Sequence, residues 1–114
     1  MIDKHEILKI MEHECRICIR LFSKLDPEAY DYRPTAGQRS TFELLQFMSH
    51  AFAGSAHAIV GDGWDWWKEH EEIAAKMAPG DFPAAMETQI KELTAVLSSV
   101  DDDVFNNTEA AEMP

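Results

Sequence analysis

Two histidines seven residues apart, His50 and His57, are the residues of this sequence whose type and spacing most readily suggest chemistry. On one helix, seven residues make nearly two turns, so both rings project from the same face. They would also stand about 10.5 Å apart along the axis. Direct bonds of about 2 Å to one metal ion cannot span that rise. A divalent metal site, with Zn or Ni as the ion, would therefore use His50 with ligands from elsewhere. The plainer alternative is a surface: Glu43, Gln46, His50 and Ala53 share a face opposite the Met48/Phe52 stripe, as a solvated or interface face would.

Cys15 and Cys18 form a C-x-x-C preceded by His13, a pattern open to a redox or zinc reading. Both cysteines, however, fall in phase with Leu8, Met11 and Phe22, where cysteine packs as a small hydrophobe. A buried core pair is the expectation. Trp64, Trp66 and Trp67 crowd into four residues. They read as a hydrophobic lid on the bundle, or as a pocket wall or protein interface, where tryptophan is enriched. His70 lies among Glu69, Glu71 and Glu72 and reads as part of a solvated face. Asp101, Asp102 and Asp103 read as a solvated turn, since they lack the spacing of a calcium loop. The sequence has no H-E-x-x-H, no phosphate-cradling glycine loop and no nucleophile elbow.

The elements that must position these groups are helices. Apolar residues recur in steps of three and four at Leu8, Met11, Cys15, Cys18, Phe22 and Leu25, predicting a first helix from about Asp3 to Leu25 with Asp3 and Glu6 as a capping box. Asp26-Pro27 ends it. Ser40 and Glu43 form a second capping box. The helix they open carries a stripe of Leu45, Met48, Phe52 and Ile59, widened by Leu44, Phe47, Ala51 and Val60, and stops at Gly61-Asp62-Gly63. A short helix is predicted over Asp65 to Met77, with Trp66, Trp67, Ile73 and Met77 inward. The last helix follows Asp81, has Pro83 in its first turn, and buries Met86, Ile90, Leu93, Leu97 and Val100. Three long helices and one short one predict a single all-α domain over residues 1–114.

The connection Tyr32-Arg33-Pro34-Thr35-Ala36-Gly37-Gln38-Arg39-Ser40-Thr41-Phe42-Glu43-Leu44-Leu45 resembles the loop that leads into the second helix of the DinB/YfiT-like superfamily, with Leu25-Asp26-Pro27-Glu28-Ala29-Tyr30 resembling the end of the first. The resemblance covers the first two helices. It implies a four-helix bundle, often dimeric, in which many members hold a divalent metal through three histidines. One of these comes from the second helix and two from an H-x-x-x-H pair on the last. Characterised members include metal-dependent thiol S-transferases; an open metal position can bind and deprotonate a thiol or water. Here the usual position of the second-helix histidine, seven after Ser40, is Phe47; His50 lies about 4.5 Å further along the axis, and no H-x-x-x-H occurs. The expectation is a DinB-like protein with a degenerate or absent metal site. The alternatives are a metal-dependent transferase or hydrolase using His50, and a non-enzymatic dimeric interaction module anchored by the tryptophans.

The formal net charge of -11 opposes binding to nucleic-acid phosphates and to anionic membranes. The most apolar stretch, 51–60, is far shorter than the roughly 20 residues of a membrane span, and the N-terminus lacks a secretory pattern. These features predict a cytoplasmic protein that can take a small-molecule substrate. With the fourth bundle helix expected beyond Pro114 or from a second copy, a homodimer is the expected assembly.

Overall fold

The computed structural model describes residues 3–101, and these are all-helical, with no strand among them. Four α-helices follow in order: α1 (Lys4–Ser23), α2 (Thr41–Ile59), α3 (Asp65–Ala74) and α4 (Phe82–Ser98). Short 3-10 turns at Pro27–Ala29 and Pro79–Asp81 enter the connections. Asp102, Asp103 and the expected last bundle helix lie outside the described residues. No helix among those described is long and apolar enough to cross a membrane.

α4 is the spine. Its apolar stripe is the best-covered in the molecule: Phe82, Met86 and Leu93 are fully enclosed, with Ile90, Val96 and Leu97 nearly so. α1 and α2 each pack along α4 far more than on each other, and α3 packs on α2. α1 runs antiparallel to α4. The Lys4 ammonium donates to the Val100 carbonyl just past the end of α4, where a cation also meets the negative pole of the helix, and Arg16 pairs with Glu87 nearer its start. The α2 contacts advance with α4: Gln89 meets Met48 and Ala53, then Glu92 meets His57. These two helices therefore run the same way, with α3 in the crossover.

The caps show which sequence signals were structural. Ser40 and Glu43 make the expected reciprocal box, with the Glu43 amide donating to Ser40 Oγ at 3.1 Å and the Ser40 amide to Glu43 Oε1 at 3.0 Å. The Ser40 amide holds the Glu43 carboxyl below its ordinary range, and the Ser40 side chain and the Arg33 guanidinium reinforce it. Arg33 also donates to the Gln38 carbonyl at 2.7 Å, so the Tyr32–Leu45 motif braces itself. Asp3 caps α1 differently from expectation. Its short side chain accepts from the His5 amide two residues on, at 2.9 Å, rather than from Glu6.

Several inward assignments need correction. Ile59, Leu44 and Ile73 are 38%, 45% and 57% exposed. Ile59, the last residue of α2, projects outward between Ala58 and Val60, which are both buried. Ile73 stands at the open rim between α3 and α4, and α3 ends at Ala74 rather than Met77. α1 likewise ends at Ser23, two residues before Leu25.

Candidate functional site

The site is built on the middle of α2. There the carboxamide of Gln89, 1% exposed, reaches from α4 into the α2 backbone: its Oε1 accepts from the Ala53 amide and its Nε2 donates to the Met48 carbonyl, both at 2.9 Å. Ser49 Oγ donates to the Gln46 carbonyl at 2.7 Å. On the other flank, α3 lies directly against α2 because residue 54 is glycine. A Cβ at Gly54 would stand 2.5 Å from the Trp67 ring. Trp67 is buried, and its indole N–H donates to Glu71 Oε2 at 3.0 Å.

That close approach overturns the reading of the Glu43/Gln46/His50/Ala53 side of α2 as a solvated face. Covered by α3 and α4, Ala53 is fully buried and His50 is 3% exposed. The His50 ring stands edge-on to Trp67 with 5.2 Å between centroids, and near Phe47 at 6.0 Å. Both ring nitrogens, Nδ1 and Nε2, are buried without a hydrogen-bond partner. An unpaired polar group in such a setting costs about 1–3 kcal/mol.

Burial pushes the His50 imidazole below its ordinary value of 6.5. His70 and Arg39 act in the same direction. The Gln46 carbonyl and Glu71 oppose the shift without reversing it, and the Gln46 contact lacks the geometry of a hydrogen bond. The folded state therefore binds the proton more weakly than the unfolded chain. Its stability is full above about pH 6.5 and falls as the pH drops from there through the lower folded value. Urea midpoints taken at pH 7.5 and 5.5 should fall more for the native chain than for His50→Phe. Equal losses would show that His50 does not contribute.

Two cavities adjoin His50. The first, of about 210 Å³, opens between α3 and α4 over the floor of α2. Trp66, His70, Ile73, Met77, Ala85 and Thr88 contribute to its walls, and no charged residue lines it. The second, of about 260 Å³, has Arg39, Glu43, Gln46 and Glu71 around it. Arg39 also stacks over the Phe47 ring, 4.3 Å from its centroid.

Trp66 forms part of the wall of the first cavity and stacks with two imidazoles. His70 stacks on it at 3.7 Å and His57 at 5.4 Å. His70 Nδ1 lies 2.9 Å from the Trp66 carbonyl, which can only accept, so this nitrogen carries a proton. His57 places Nδ1 2.8 Å from Asp62 and Nε2 2.9 Å from Glu92. It thereby ties the end of α2, the following turn and α4 together behind Trp66. Gly61 and Gly63, with φ of 94° and 76°, give that turn the left-handed backbone it needs.

The candidate residues are thus brought partly together. His50 and Trp66 share the cavity, His57 supports Trp66 from behind, and Trp67 is packed into Gly54. Trp64 meets Trp67 edge-on at 5.5 Å. His70, placed by sequence on a solvated face, is half-buried against Trp66, its neighbour one helical turn back. Gln89 went unnoticed, although a polar residue three positions after Met86 on the core stripe was its signal. Cys15 is fully buried and Cys18 half-buried, both as free thiols. Burial, with Cys18 adding to it, pushes the Cys15 thiol up to about 12, and burial raises Cys18 as well. Neither is a ready thiolate ligand or nucleophile at neutral pH.

The donor set does not fit the three-histidine metal site. Among the described residues, no three His, Cys, Asp or Glu side chains come together in a way that could hold a metal ion. No protein-family model, curated protein or solved structure matches this chain.

Proposed function

We propose that this chain is a DinB/YfiT-like bundle protein with a degenerate metal site, whose α3–α4 cavity binds a small organic molecule instead. The observation that carries this reading is His50: nine-tenths and more buried, unpartnered at both nitrogens, and placed beside a cavity of about 210 Å³. A bound molecule would fill the space beside this ring, against Trp66, His70 and Met77. Phe47 at the usual ligand position agrees with it. The resemblance supports a cytoplasmic homodimer, and Ile10 and Leu21, about 60% exposed on α1, offer apolar surface for a second copy. Sedimentation equilibrium should report a dimer; a stable monomer would remove that part of the reading.

The test combines elemental analysis of the purified protein with a fragment screen followed by amide NMR. The expected outcome is no stoichiometric Zn or Ni, and fragments whose shifts cluster on Ser49, His50, Trp66 and Met77. Stoichiometric metal that is lost on His50→Ala would replace this reading with a metal-dependent thiol S-transferase or hydrolase using His50.

A further inference from the structure

We propose that the α3–α4 cavity takes an uncharged hydrocarbon group, a single ring or a branched chain of about six to eight carbons. The proposal rests on the small-molecule reading above and names its ligand class.

Size sets the first limit. A cavity of about 150 Å³ lined by apolar side chains holds benzene. One of about 210 Å³ adds room for a carbon or two beyond the ring.

The polar side chains of the walls set the second, because most of their bonding capacity is spent inside the protein. The Gln89 carboxamide is fully used: Oε1 accepts from the Ala53 amide, and Nε2 donates to the Met48 carbonyl and to the Met86 sulfur at 3.4 Å. The Ser49 hydroxyl donates to the Gln46 carbonyl. His50 shows the cavity no polar side-chain atom, since both of its ring nitrogens are closed to solvent. One nitrogen of His70 is bonded to the Trp66 carbonyl. What remains is the other nitrogen of His70 and the hydroxyl of Thr88, an exposed residue.

That shortage decides what fills the space best. A water molecule needs two to four polar partners to be well held. Two remaining groups can hold one, in a cavity with room for several. Water filling the rest would be poorly bonded, and an apolar group that displaces such water gains affinity.

Charge excludes the alternatives. None of the lining residues is Asp, Glu, Lys or Arg. An ionised group would give up its hydration here without meeting a counter-charge. The rest of the wall is hydrocarbon and thioether, from Trp66, Ile73, Ala74, Met77 and Ala85. Ile73, 57% exposed at the rim, is apolar surface that a bound hydrocarbon would cover.

Four single-ring probes separate these points: toluene, phenol, benzoate and benzylammonium. Each is titrated into the full chain by NMR, with the side-chain methyl signals of Ile73 and Met77 followed for ring-current shifts. The expected result is that toluene binds about tenfold or more tightly than each of the others, because the hydroxyl or charge they carry finds no partner. Toluene should shift both methyl signals. Ala85→Leu, which enlarges a side chain of the wall, should abolish toluene binding. The methyl shifts of the native protein decide the location even if that variant folds poorly.

If phenol matches or exceeds toluene, the walls supply a polar partner and the hydrocarbon class is wrong. If benzoate or benzylammonium binds best, the uncharged class is wrong. Toluene that leaves the Ile73 and Met77 methyls unshifted lies elsewhere, and the proposal falls. If none of the four binds while the fragment screen still marks this cavity, the ligand class is wrong and the site stands. A barren screen as well removes the small-molecule reading beneath it.

Discussion

Gln89→Ala should destabilise the fold by about 3 kcal/mol, measured as a shift in urea midpoint at constant slope. Two hydrogen bonds into the α2 backbone disappear, each contributing about 1 kcal/mol net, and a small cavity opens where the side chain stood. Gln89→Leu separates the two effects. It restores most of the volume and cannot bond Ala53 or Met48, so it should retain a loss of about 2 kcal/mol. If Gln89→Leu is as stable as the native chain, the carboxamide contributes only packing. The same variants report on the site. Gln89 fixes the register of α2 against α4 at the turn that carries His50. Loosening it should broaden the NMR signals of residues 46–53 before the rest of the helix.

Gly54→Val should cost about 2–3 kcal/mol and displace α3. Overpacking a closed contact typically costs about 1–3 kcal/mol, and here the first added atom already meets the Trp67 ring at 2.5 Å. Neither partner can yield cheaply. Trp67 is pinned by its bond to Glu71 and by the His50, Phe47 and Trp64 rings around it. The displacement should expose tryptophan, seen as a red shift of emission with far-UV circular dichroism almost unchanged. An unshifted spectrum with native stability would mean that α3 does not lie on Gly54. The variant should also release His50 to water, restoring its imidazole towards 6.5 and removing the acid sensitivity argued above.

What the sequence made legible was the periodicity of single helices. The stripe Met86, Ile90, Leu93, Leu97 located the core face of α4, and Ser40 with Glu43 located the start of α2. The motif behind the DinB/YfiT resemblance proved to be architecture: Arg33, Gln38, Ser40 and Glu43 hold one another, and none reaches His50. Hidden from the sequence was the second buried side of α2. A helix that packs against one neighbour leaves its far face polar, and Glu43, Gln46 and His50 look like such a face. Only the Ala53-Gly54 pair hinted otherwise, because small residues allow a second helix to come close. Once α3 lies there, His50 becomes an interior residue. The Trp66–His70 pairing was readable in principle from its four-residue spacing, but three flanking glutamates suggested solvent.

The central place of α4 has a consequence for how the chain acquires its shape. The bonds that close the fold join residues far apart in sequence: Lys4 to Val100 spans 96 positions, Arg16 to Glu87 spans 71, and His57 to Glu92 spans 35. Across small two-state domains, folding rates fall as such separations grow. During synthesis, α1 and α2 emerge with their apolar stripes and find little to pack against until α4 has been made. α3 can settle on α2 before then, but the core closes only when α4 arrives, and until that moment the apolar stripes of the first two helices stay open to unintended partners.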